Sequence, residues 1–189
     1  MSALTVVGLG SELSGDDAVG LVLVEALGAR LSVEEARSVT CVCWPDVDAL
    51  TIAHELLELR GDVLIVDCAE MGLPPASARL FERDQVRLGV KERRASVHGV
   101  GLAEGLELAA RLGRRGPVRL FAVQPFRVGP GAPLSSEMEE RLPALADALE
   151  EAVRSRMDAA RPGPEPLPRA AAGAPVEAAS DPGKGWANH

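Results

Sequence analysis

Val6-Val7-Gly8-Leu9-Gly10-Ser11-Glu12-Leu13-Ser14-Gly15-Asp16-Asp17-Ala18-Val19-Gly20 is the stretch on which the reading of this chain turns. An apolar run over residues 4–7 breaks at a glycine pair and crosses a short polar turn. Two adjacent aspartates then stand where an apolar helical pattern begins at Val19. The order is strand, glycine turn, helix, with two carboxylates at the helix's first turn.

Two common guests of such a turn do not fit. A dinucleotide fingerprint needs a third glycine at position 13, which is Leu13, and a phosphate loop needs a Gly-Lys-Ser/Thr ending that is absent. Asp16 and Asp17 would also stand where a phosphate wants backbone donors and the positive end of a helix dipole. A cation is the better guest. The plainer alternative is that the acids only cap the helix and answer its macrodipole, worth about 0.3–1 kcal/mol each.

The 189 residues suit one domain and a tail. The division expected is a folded domain over 1–157 and a Pro-, Ala- and Gly-rich tail over 158–189, too poor in large apolar residues to bury a core and so expected to be disordered. The hydrophobic share is 47%, but aromatics are only 3% and Tyr is absent, so Ala, Leu and Val must pack the core. A net charge of −8 argues against a nucleic-acid or anionic-membrane partner, because those select for clustered Lys and Arg. Arg111, Arg114 and Arg115 read instead as a helix end, where cations are favoured. No apolar stretch approaches the about 18 residues of a membrane span, and the N-terminus lacks a basic segment followed by a signal core. A cytoplasmic, monomeric protein is expected. Cys41, Cys43 and Cys68 are then expected as reduced thiols. Cys41 and Cys43 share one strand face and suit core packing better than ligation, which would want Cys-x-x-Cys and further ligands.

Along the chain, residues 18–31 carry apolar positions near helical period, and Ser38-Val39-Thr40-Cys41-Val42-Cys43 reads as a second strand closed by Trp44-Pro45-Asp46. Residues 49–59 form a second helix, with Asp46 as its cap and Leu50, Ala53, Leu56 and Leu57 on its inner side. Asp62-Val63-Leu64-Ile65-Val66-Asp67 is a continuous aliphatic run of the kind buried on both faces of a parallel sheet. Arg79-Leu80-Phe81-Glu82 reads as a short extra strand. A helix over 100–112 follows Ser96-Val97-His98-Gly99, and a strand over 118–123 ends at Gln124-Pro125. After a loop at 130–133, Ser135 or Ser136 caps a last helix over 138–157, kinked by Pro143. Strands separated by helices predict an α/β domain, a three-layer α/β/α sandwich around a mostly parallel twisted sheet. In that class ligands gather at the carboxyl ends of the strands.

Asp17, Asp67 and His98 fall at those ends. Each has a local explanation: Asp67 suits a turn cap, and His98 suits a helix cap or a carbonyl hydrogen bond. Their convergence is the functional signal. Two carboxylates brought together raise one another's pKa unless a cation lies between them, and a neutral imidazole beside them completes an oxygen and nitrogen set. Three ligands leave positions open for a substrate. Nickel and zinc both suit these donors, and affinity alone does not choose between them. A serine or cysteine nucleophile is disfavoured: no Gly-x-Ser-x-Gly elbow exists, and Cys68 has no local base pattern. An aspartic dyad of Asp17 and Asp67 is the alternative catalytic reading, leaning on acidic pH or a shared proton.

At these residues the sequence resembles the nickel-iron hydrogenase maturation endopeptidases. The resemblance is carried by Gly8-Leu9-Gly10-Ser11 through Gly15-Asp16-Asp17-Ala18-Val19-Gly20, by Leu64-Ile65-Val66-Asp67-Cys68-Ala69-Glu70-Met71-Gly72, by Ser96-Val97-His98 and by Ala122-Val123-Gln124-Pro125, in the family's order over about residues 4–155. It implies an α/β/α fold and an endopeptidase that removes the C-terminal extension of a hydrogenase large-subunit precursor once nickel is in place. It also implies that Asp17, Asp67 and His98 contact that nickel, which the substrate supplies. The chain departs from the family pattern at Ser11, where Asn is usual, and at Cys43-Trp44-Pro45-Asp46, where an Asp-Gly-Gly-Thr-like segment is usual. The rival from another class is a non-catalytic metal-binding chaperone of the large subunit.

Overall fold

A computed structural model describes residues 4–86 and 97–160, apart from the side chains of 97–100 and 159–160. Strand β1 (Leu4–Gly10) is buried along its whole length, as is nearly all of β3 (Asp62–Cys68). They lie side by side in a five-stranded sheet of order β2-β1-β3-β5-β4, with β2 (Val39–Pro45) and β4 (Ala78–Glu82) at the edges. β2, β1, β3 and β5 (Val118–Val123) are mutually parallel, and β4 runs antiparallel to β5. Continuous aliphatic strands go to the middle because both of their faces are covered.

Helix α1 (Val19–Arg30) and the last helix, α5 (Leu142–Ala160), cover one face. Leu23, Leu27, Leu145, Leu149 and Val153 pack there on Val6, Leu64 and Val66. The other face carries α2 (Ala49–Glu58) and α3 (Val97–Arg111), whose Ile52, Leu56, Leu102 and Leu106 pack on Val7, Ile65 and Leu120. The alternation of faces along β1 and β3 is the period-2 geometry of a strand, and the result is the three-layer α/β/α sandwich. Cys41 and Cys43 face the α1 side, partly buried against that cluster.

Several boundaries differ from the sequence reading. Asp48, not Asp46, caps α2: its Oδ1 accepts from the Thr51 N–H at 2.8 Å. Asp46 instead takes a left-handed backbone, φ 52°, and turns the chain out of β2. The start set by Asp48 puts Ile52, Ala53 and Leu56 inside and leaves Leu50 69% exposed. The single kinked helix expected near the end is two helices, a four-residue α4 (Ser136–Glu139) capped by Ser135 and then α5. Pro143 stands at the second position of α5, where a missing N–H costs nothing, so it helps to start a helix rather than bend one. α5 runs on to Ala160, and the remainder of the expected tail lies outside the described residues.

Candidate functional site

Buried polarity is concentrated at one end of the sheet. Of the buried polar side chains described, Ser11, Asp16, Asp17, Asp67, Gln124 and Ser135 all lie at or beyond the carboxyl ends of β1, β3 and β5; Thr5 lies within β1. The glycines of the first turn explain how a helix comes so close. A Cβ on Gly8 would stand 2.7 Å from the Gly20 carbonyl oxygen, and one on Gly20 would overlap the carbonyls of Leu9 and Val66. Without those side chains the start of α1 rests directly on β1 and β3. A 3-10 turn, Asp16–Ala18, joins β1's loop to α1 and carries both aspartates inside.

The two aspartates have different surroundings. Asp16 is fully buried and reaches the loop after β5: its Oδ2 accepts from the N–H of Phe126 at 2.8 Å and of Arg127 at 3.0 Å, and its Oδ1 from the N–H of Ser135 at 2.9 Å. Burial alone would raise its pKa, but the hydrogen bonds from Ser135, Arg127 and Phe126 outweigh it and hold the carboxyl below its ordinary value. Asp17, 2% exposed, sits within electrostatic reach of Asp67. Asp67, the penultimate residue of β3, is also 2% exposed and accepts from the Cys68 N–H at 2.8 Å. Burial first, and the charge of Asp17 second, push the Asp67 carboxyl up to about 7.

Two buried carboxylates that repel each other fit a divalent cation, whose charge would offset both the desolvation and the repulsion. Oxygen donors of this kind, with an imidazole added, are compatible with nickel or zinc and do not choose between them. The α3 backbone begins at Val97, so His98 falls in that helix's first turn rather than ahead of it. Its side chain lies outside the described residues. Among the described residues no trio of His, Cys, Asp and Glu is disposed to hold an ion, so an ion held by Asp17 and Asp67 would require a further donor.

Cys68, at the end of β3, is buried, and its thiol is pushed far above its ordinary value by burial and by the nearby acids Asp67, Asp17, Asp16 and Glu70. A thiol so strongly protonated is a poor nucleophile. Gln124 has a part that sequence reasoning did not assign. Its Oε1 accepts from the N–H of Met71 at 2.7 Å and of Leu73 at 3.2 Å, while its Nε2 donates to Glu70 at 2.6 Å. That amide ties down the loop that follows Asp67 and Cys68. Its sequence signals were its place directly after β5 and its membership of the Ala122-Val123-Gln124-Pro125 block.

Residues 47–152 match the sequence profile of a family described as hydrogenase maturation protease, HycI. The match contains Asp67 and His98 and begins after Asp17. The chain is 31% identical over 153 residues to the hydrogenase expression/formation protein HupD of Thiocapsa roseopersicina, across 78% of this chain and 66% of that protein. It therefore spans just under two thirds of that relative's length. It is 29% identical over 178 residues to the hydrogenase expression/formation protein HoxM of Cupriavidus necator, across 93% of this chain and 83% of that protein. Its fold is similar to that of the hydrogenase maturating endopeptidase HybD from Escherichia coli, with a TM-score of 0.65 at 21% identity, covering 82% of this chain and 94% of that one.

Proposed function

The chain belongs to the hydrogenase maturation protease family, and we propose that it removes the C-terminal extension of a nickel-iron hydrogenase large-subunit precursor after nickel insertion. Asp17, Asp67 and His98 contact the nickel that the precursor carries. The observation that supports this most is the meeting of Asp17 and Asp67. They come from segments 50 residues apart, yet they are buried together at the carboxyl end of the sheet, with the Asp67 carboxyl pushed up by burial and by Asp17.

A pair of acids in that condition holds a cation weakly when empty, because one of them carries a proton near neutral pH. Weak resting affinity suits an enzyme whose metal arrives with the substrate: cleavage then waits for a loaded precursor. The nickel supplies Lewis acidity toward the scissile carbonyl or an attacking water. The chain's own part is to position that centre and to keep Cys68 protonated and out of the chemistry.

The test is to incubate the protein with matched large-subunit precursor, nickel-loaded or empty, and to read the intact mass of the precursor. Loss of the C-terminal extension from the loaded form alone is the expected result. Equal cleavage of both forms overturns nickel gating, and no cleavage of either leaves the non-catalytic chaperone.

A further inference from the structure

We propose that Asp16 is a positioning residue: by gripping the loop 126–135 it fixes the turn from which Asp17 is presented to the metal. This rests on the reading above that Asp17 contacts the precursor's nickel. A helix-capping role would keep the Asp16 carboxylate within its own turn, but that turn has no side-chain cap. Its hydrogen-bond donors lie 110, 111 and 119 residues further along the chain.

The grip is two-sided. While the carboxylate holds Phe126, Arg127 and Ser135, the Asp16 N–H donates to the Arg127 carbonyl at 3.0 Å, and just ahead of it the Gly15 N–H donates to the Ala132 carbonyl at 2.8 Å and the Leu13 carbonyl accepts from the Gly131 N–H at 2.7 Å. The Ser135 hydroxyl also accepts from the Met138 N–H, so the clamp continues into α4. Asp17 is the next residue in the same three-residue turn, so fixing Asp16 on both its main chain and its side chain fixes the direction of the Asp17 Cα–Cβ bond. Groups that orient a metal ligand without touching the metal are typically worth about 10–100-fold in affinity or activity.

The experiment uses the full chain with Asp16→Asn. An Asn offers one acceptor oxygen and turns its NH2 toward N–H donors, so it loses either the Phe126 and Arg127 contacts or the Ser135 contact. Far-UV circular dichroism establishes the fold and the thermal midpoint. Turnover of nickel-loaded precursor and calorimetric nickel affinity are then measured well below that midpoint. The expected result is a loss of about 10–100-fold in kcat/KM for the loaded precursor, matched in nickel affinity. Val153→Ala, on the buried face of α5, is the control: it lowers the midpoint and keeps both readouts. Should Asp16→Asn not fold, Ser135→Ala, which keeps the Ser135 N–H but removes the hydroxyl that also hydrogen-bonds the Asp16 carboxylate and caps α4, decides the matter with a several-fold loss expected. A folded Asp16→Asn, or in its place Ser135→Ala, that turns over and binds nickel as the wild type does overturns the positioning role alone. A wild type that leaves the loaded precursor uncut overturns the parent reading, and this one with it.

Discussion

Asp67 sits where the sheet end offers it little water and places a second acid nearby, and both effects raise its pKa, to about 7. The folded protein then holds this proton more tightly than the unfolded chain, where the group titrates near 3.8. The stability tied to Asp67 is complete below pH about 4 and is lost as pH rises from there toward 7. Asp67→Asn removes that penalty while keeping an oxygen to accept the Cys68 N–H. In urea melts of the metal-free protein at pH 8, Asp67→Asn is expected to be more stable than wild type by up to about 4 kcal/mol, with the gap closing by pH 4. A wild type that is as stable as the variant at pH 8 would place the Asp67 carboxylate in a more solvated or already neutralised setting. Asp16 has the opposite sign: its lowered pKa stabilises the fold above the ordinary carboxylate range and loses that contribution as pH falls below it.

The first turn and α1 reach the sheet only because Gly8 and Gly20 lack side chains. Gly20→Ala would drive a methyl group into the carbonyls of Leu9 and Val66, which are backbone atoms of two central strands and move at a cost. Overpacking of this kind costs about 1–3 kcal/mol or more, read as a lower urea midpoint. Because the displaced segment carries Asp17, precursor cleavage is also expected to fall further than the stability loss accounts for; a variant with unchanged midpoint and turnover would mean that α1 shifts freely over the strands. At this scale the sequence was readable wherever apolar periodicity set the element: the five strands and the long helices stand near the expected places. It misled where two adjacent signals competed. Asp46 and Asp48 both precede α2, and only the backbone, left-handed at Asp46, decides which one caps. Pro143 reads as a kink until a second helix is seen to begin at Leu142. The Asp16 clamp was invisible, because its donors are backbone N–H groups over a hundred residues away and carry no side-chain signature. Asp17 and Asp67 were legible as a pair because strand ends in a parallel sheet converge.

Apolar clusters on both faces of the sheet leave the acids at its carboxyl end as the place where the molecule can gain most from a ligand. A cation that binds only the folded protein stabilises it by an amount set by its concentration relative to Kd, about 2.7 kcal/mol at a hundredfold excess. For a chain of this size that corresponds to roughly 5–10 °C in thermal midpoint. Near and below pH 7 an ion held by these acids must displace the Asp67 proton, so affinity falls with pH, approaching about tenfold per pH unit below 7. Thermal melts with and without nickel are therefore expected to show a clear upward shift at pH 8, a much smaller one at pH 6 and, for Asp17→Asn, little at either. A shift of equal size at both pH values, or one that survives Asp17→Asn, would mean that the ion stabilises the protein from somewhere other than these acids.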